Sequence, residues 1–177
     1  MIKRIMRKLF PLRYAIKEGM IVGKGISIVS PLSTCFGTEP YLITIGDYVR
    51  ISGGVLFSNH DGGTWAFRHR EEYKNVVKYG RISIGDYTFI GAHATIMPGV
   101  QIGCNCVIGV NSVVTKDVPD GTVVAGNPAR FICTTNEYAE KCRRKMPDGI
   151  NFQALKSDKK SELLRVYGND QIAKNGK

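Results

Sequence analysis

A period of six residues constrains this chain more than anything else in it. Ile84, Ile90, Ile96, Ile102, Ile108 and Val114 recur at every sixth position without a slip. Glycine follows the aliphatic residue in four of these six units, at Gly85, Gly91, Gly103 and Gly109. Four places after each aliphatic residue stand Thr88, Ala94, Val100, Cys106, Ser112 and Val118, all small or β-branched. An α-helix repeats its faces about every 3.6 residues and a strand about every 2, so neither produces this rhythm. A chain that runs straight briefly, turns a corner and repeats does produce it. The aliphatic side chains then point to a shared axis, and glycine eases the corner beside them. Stacked turns bury a continuous column of Ile and Val, each side chain contributing roughly 1.5–3 kcal/mol.

The same rhythm runs less cleanly through Val22 and Ile28, then through Ile45, Ile51 and Phe57, with Val49 and Val55 at the small or β-branched position. It is lost between Phe57 and Ile84, whose separation of 27 is not a multiple of six. Residues 58–80 must therefore leave the stack as a loop. Its aromatic residues Trp65, Phe67, Tyr73 and Tyr79 argue for an ordered, functional loop. Three regions follow: a basic helical segment over 1–20, the repeat domain over 21–133 with its extruded loop, and a polar tail over 134–177. In that tail Ala139, Cys142, Met146, Leu155, Leu163, Leu164 and Val166 suggest short helices, and the last residues read as frayed.

The net charge of +10 is carried by the ends. Residues 1–20 hold six Lys/Arg against one acid, residues 134–177 ten against six, and the body between them only nine against eight. A nucleic-acid binder would need a basic face on the folded body, so no nucleic-acid partner is expected. Ile2, Ile5, Met6 and Leu9 fall at helical spacing with Lys3, Arg4, Arg7 and Lys8 among them. That pattern suits peripheral contact with anionic lipid. It suits better a helix packed on the domain with its basic face in solvent. No apolar run is long enough for a signal peptide or a membrane span. The five cysteines form no CxxC pair and no even framework, which implies a reducing, cytoplasmic setting. Cys104 and Cys106 lack partner ligands, so no metal site is expected and Cys106 reads as a small core residue.

Residues 82–132, ISIGDYTFIGAHATIMPGVQIGCNCVIGVNSVVTKDVPDGTVVAGNPARFI, resemble the left-handed β-helix acyltransferases built on hexapeptide repeats. The ending VVTKDVPDGTVVAGNPAR is similar to the close of the coil in galactoside, maltose and polysaccharide O-acetyltransferases. The loop sequence SNHDGGTWAF at 58–67 resembles the histidine loop of xenobiotic acetyltransferases. The likeness covers about residues 20–132. It implies a mainly β fold, a left-handed parallel β-helix of three sides, assembled as a homotrimer with active sites in the clefts between subunits. It also implies acetyl-CoA as the acyl donor and a carbohydrate or other hydroxyl acceptor.

Acyl transfer to a hydroxyl needs a base for its proton, and histidine suits that task near neutral pH. Of His60, His69 and His93, His60 stands between Asn59 and Asp61 at the mouth of the loop and matches the family's catalytic histidine. His69, in RHREEYK, reads as a solvated loop residue, and His93 as a surface residue of the coil. No Ser, Cys or Thr is paired with a histidine as a nucleophile, which points to direct attack by the acceptor. Asp61 is expected to orient the imidazole or hold the acceptor, and Asn59 and Trp65 to bind the substrate, Trp65 by stacking. The resemblance implies that backbone amides at Ala92 and Val110 hold the pantetheine arm. It places Thr115, Lys116 and Arg130 at the nucleotide end of coenzyme A. Gly126-Asn127-Pro128 reads as a turn leaving the coil. The alternatives are a xenobiotic acetyltransferase, an amino-sugar N-acetyltransferase and a non-catalytic β-helix scaffold.

Overall fold

The computed structural model describes residues 2–29 and 33–168. They form two compact units, one ending at Asn136 and the other beginning at Glu137. In the first unit the chain opens with two short helices, α1 (Ile2–Leu9) and α2 (Pro11–Lys17), broken where Pro11 cannot continue α1. Among the described residues twelve short strands then build a coil: β1 (Ile21–Val22), β2 (Ser27–Ile28), β3 (Ile43–Ile45), β4 (Arg50–Ile51), β5 (Leu56–Phe57), β6 (Ile82–Ile84), β7 (Phe89–Ile90), β8 (Thr95–Ile96), β9 (Gln101–Ile102), β10 (Val107–Ile108), β11 (Val113–Val114) and β12 (Thr122–Ala125). They stack on three faces: β1-β3-β6-β9, then β2-β4-β7-β10-β12, then β5-β8-β11. Every pairing among them is parallel. The chain visits the faces in turn, which is the winding that the six-residue period predicts and is consistent with a parallel β-helix.

Register explains the period. Ile84 pairs with Ile102, Ile90 with Ile108 and Ile96 with Val114, each 18 residues on, so one coil is three hexapeptides. The repeated aliphatic residues are therefore stacked, and Ile51, Phe57, Ile90, Ile96 and Ile108 are wholly buried. Val49, Thr88 and Cys106 fill the corners behind them. Thr88 pays its polar cost locally, since its Oγ1 donates to Gly103 O (2.8 Å) and accepts from Cys106 N (3.1 Å).

One corner is locked by a ladder of carboxylates. Asp47 accepts from Lys24 N, Asp86 from Asp47 N and Asp120 from Cys104 N, at 2.7–2.9 Å. Glycine precedes each of these amides because successive coils nearly touch there. A Cβ on Gly85 would lie 2.5 Å from the carbonyl carbon of Gly103. Asn105, Tyr48 and Tyr87 take up left-handed conformations just beyond, and the two tyrosine rings stack at 5.0 Å.

The coil ends in a hairpin. β13 (Arg130–Thr134) runs antiparallel to β12 across the Gly126–Pro128 turn. The second unit holds most of α3 (Thr135–Lys145), with α4 (Phe152–Ser157) and α5 (Lys159–Tyr167). Buried Glu162 joins the latter pair, accepting from Asn151 N and from the Arg165 guanidinium. Among the described residues no helix is long and apolar enough to cross a membrane. The frayed end expected beyond Gly168 lies outside the described residues.

The N-terminal helix departs from expectation. A helix packed on the domain should bury its apolar stripe, yet Ile5 and Leu9 are 50% and 62% exposed. Arg7 is the residue that turns inward, donating from Nε to Ser33 O (2.9 Å) and from Nη2 to Gly37 O (3.2 Å). The loop carbonyls at 33–37 need donors, and a guanidinium supplies two at once where an aliphatic side chain supplies none.

Candidate functional site

Two excursions interrupt the coil, and the site lies where they meet. The larger is the predicted loop. Ile45 pairs with Ile84, 39 residues away where a plain coil needs 18, so the chain detours after β5. The detour closes on itself: Gly80 N donates to Asn59 O, Asp61 N donates to Lys78 O, and His60 faces Tyr79 in an antiparallel bridge. Inside it Phe67 and Tyr73 pack edge to face at 5.7 Å, which accounts for the aromatic content. The smaller excursion is in the first coil. Ile28 pairs with Ile51, 23 residues on, so about five extra residues bulge out before β3.

That bulge carries Glu39. Its Oε2 lies 2.9 Å from His60 Nδ1, and its Oε1 accepts from Thr38 Oγ1 at 2.6 Å. Burial pushes the Glu39 carboxyl up. The bonds from Thr38 and His60, with the imidazole's charge and the residue's own amide, outweigh this and hold it below the ordinary glutamate value. An ionised carboxylate only accepts, so Nδ1 is the donor of this pair, and Nε2 is the ring nitrogen that Glu39 leaves uncommitted. Ser58 Oγ fixes the backbone by donating to His60 O (3.0 Å), and the Tyr79 ring stands 5.8 Å from the imidazole. Arg7 holds the near end of the same bulge through Ser33 and Gly37.

His60, Asp61 and Trp65 share a recess of about 270 Å³ with Thr64, Lys78 and Tyr79. Trp65 is 81% exposed at its rim. The Asp61 carboxylate bonds elsewhere than His60: Oδ1 caps the following turn at Gly63 N (2.9 Å), and Oδ2 meets Lys78 Nζ at 3.0 Å. The Gly63 bond first, then Lys78, lower its pKa. Asn59 is buried, and neither its Oδ1 nor its Nδ2 has a hydrogen-bond partner among the described residues. Such a group costs about 1–3 kcal/mol unless something satisfies it.

The other expected positions lie apart from this recess. Lys116 and Arg130 line a second one, about 360 Å³, with Phe131 and Val118, and Thr115 is exposed beside it. Ala92 and Val110 occupy one corner of successive coils, where Asn111 N donates to Ala92 O. Their own amide N–H groups have no partner among the described residues. His93 occupies the same corner in a left-handed conformation, stacked on Gly54, and His69 is exposed in the loop. Cys35, buried under the bulge, has its thiol pushed up to about 12 by burial and is inert at neutral pH.

Sequence reasoning missed Glu39. A signal existed: Ile28 and Ile45 are 17 apart, again not a multiple of six, which marks the bulge. Nothing in the sequence tied it to a histidine 21 residues later.

A repeat coil presenting a carboxylate-paired histidine at the root of an inserted loop defines a class, that of hexapeptide-repeat transferases, and comparison with known proteins agrees. The family described as hexapeptide repeat of succinyl-transferase matches residues 81–116. The protein CapG of Staphylococcus aureus is 47% identical over 125 residues, 71% of this chain and 72% of CapG. Galactoside O-acetyltransferase of Escherichia coli K12 is 44% identical over 100 residues, 56% of this chain and 47% of that protein. Two solved structures superpose with similar scores. A galactoside acetyltransferase in complex with coenzyme A has a TM-score of 0.53 at 33% identity, over 69% of this chain and 58% of that one. A hexapeptide-repeat acetyltransferase of Vibrio cholerae complexed with acetyl coenzyme A has 0.52 at 26% identity, over 75% and 83%. The chain belongs to the hexapeptide-repeat acyltransferase family.

Proposed function

We propose that this protein is an O-acetyltransferase that moves an acetyl group from acetyl-CoA to a hydroxyl of a carbohydrate, in the synthesis of a surface polysaccharide or lipopolysaccharide in the cytoplasm. One observation carries the reading: Glu39 engages Nδ1 of His60 at an open recess, so that Nε2 is the nitrogen left to act as the base. In the proposed step Nε2 takes the acceptor's hydroxyl proton as its oxygen attacks the acetyl carbonyl. The C–S bond breaks, and the departing coenzyme A thiolate recovers that proton from the imidazolium, so no acyl-enzyme forms. Glu39 stabilises the transient imidazolium. Asp61 shapes the recess by tying the loop's first turn to Lys78, Trp65 offers a ring for a sugar face, and Asn59 keeps an amide for a group that no described residue supplies.

The unpartnered amides of Ala92 and Val110 suit the pantetheine arm, and Lys116 and Arg130, with Thr115 beside them, suit the nucleotide's phosphates. These positions do not merge with the His60 recess within one chain. We therefore place the complete site between neighbouring left-handed coils of a homotrimer. Names of relatives support the activity: a galactoside O-acetyltransferase is among them, and solved neighbours hold coenzyme A or acetyl-CoA.

The test is thiol release from acetyl-CoA against hexoses, amino sugars, oligosaccharides and chloramphenicol, with wild type and His60→Ala side by side. Release should require a sugar hydroxyl, and the variant should lose roughly 10²–10⁴ in kcat while still binding acetyl-CoA. Near-normal turnover of the variant sinks the role of His60. Preference for chloramphenicol or an amino group redirects the acceptor. No release and no acetyl-CoA binding leaves a scaffold.

A further inference from the structure

We infer that α1 and α2 present a docking surface for an anionic lipid bilayer. The inference starts from the inverted packing of α1. Arg7 faces the body and is spent on two loop carbonyls, and Met6 is half-buried. Ile5 and Leu9, at i and i+4 on one side of α1, are left in solvent. The next helix packs conventionally but still leaves one large apolar residue among its outward cations. α2 buries Pro11 and Ala15 and packs Leu12 on the core. Arg13, Ile16 and Lys17, three and four residues apart, face outward, and the exposed Phe10 ring lies 5.9 Å from the Arg13 guanidinium. The two helices thus expose four large apolar side chains, Ile5, Leu9, Phe10 and Ile16, alongside Lys8, Arg13 and Lys17. The single acid of residues 1–20, Glu18, is already engaged within the chain.

This mixture selects its occupant. Duplex or single-stranded nucleic acid would match the cations but leave Ile5, Leu9 and Ile16 against water or phosphate. A second copy of the same face would set its surplus of positive charge against an identical surplus. A leaflet rich in anionic lipid takes both components. Apolar side chains enter the acyl boundary, while long basic side chains reach back to the head groups. The surface is independent of the acyl-transfer reading, because no residue in it belongs to either recess.

The experiment is co-sedimentation of the full chain with sucrose-loaded vesicles, of phosphatidylcholine alone or mixed with phosphatidylglycerol. Wild type should pellet with the mixed vesicles, much less with phosphatidylcholine, and less as salt is raised. Ile5→Asp/Leu9→Asp should cut partitioning roughly tenfold or more. Lys8→Glu/Arg13→Glu should abolish the preference for phosphatidylglycerol. Both variants should transfer acyl groups to a soluble acceptor as wild type does, which also shows that they fold. The inference falls if wild type ignores phosphatidylglycerol or if the variants bind as wild type does. A changed size of Ile5→Asp/Leu9→Asp in solution would overturn it in favour of a subunit contact.

Discussion

The stretch 82–114 and the two excursions at 33–42 and 58–80 are made of the same chain under opposite rules. In the first, each side chain's fate is set by its place in a six-residue unit, and the aliphatic position is sealed at every turn. In the second, no unit repeats, the backbone closes on itself from Asn59 to Gly80, and the pair that carries the chemistry, His60 with Glu39, joins different coils. The lesson is a division of labour. The coil supplies rigidity through redundancy, and chemistry enters only where the redundancy is broken.

Substitutions on the two sides of that division should separate cleanly. After His60→Ala, the largest expected effect is on the coil. Ile96→Ala empties part of the wholly buried column formed with Phe57 and Val114, and should cost about 2–5 kcal/mol, read as a lowered Tm. Turnover per folded molecule should stay near wild type; a large kcat loss in the properly folded protein would break the comparison.

Glu39→Gln should do the reverse, lowering kcat roughly tenfold to hundredfold with Tm almost unmoved. The charge of Glu39 is complete above the ordinary glutamate pKa and fades only as pH falls through its depressed value. The ratio of wild-type to variant kcat should therefore be flat through neutral pH and shrink only below about pH 4.5. A ratio that collapses near neutrality would mean that Glu39 is not the charged partner. Smallest is Arg130→Ala, with a rise in the acetyl-CoA KM of about fourfold or more and little change in kcat. An unchanged KM would take Arg130 out of the donor site.

What could be read in the sequence follows the same line. Ile84 to Val114 declared the coil because one burial pattern is written six times, and a single deviation could not hide it. The loop at 58–80 was legible as an interruption, and His60 as its chemical residue, because a break in a strict period is itself a signal. Glu39 was not. Its pairing with His60 depends on where the bulge before β3 projects, and that is decided by contacts such as Arg7 with the carbonyls of Ser33 and Gly37. Asp61, the sequence neighbour, spends its carboxylate on Gly63 and Lys78 because an Asx turn is the nearer bond. The exposed Ile5 and Leu9 were hidden for a related reason. Helical periodicity identifies an apolar face but does not say which side of the helix meets the body.

The loop's closure has one more consequence. Because Gly80 N returns to Asn59 O, the insertion leaves and rejoins the coil at a single rung, like a pendant hung from one link. The coils above and below cannot register its length, and doubling it would add only about 0.6 kcal/mol of closure entropy. His60 sits in the link and Trp65 in the pendant. Selection can therefore exchange the pendant, and with it the molecules that are welcomed, without disturbing the base that acts on them.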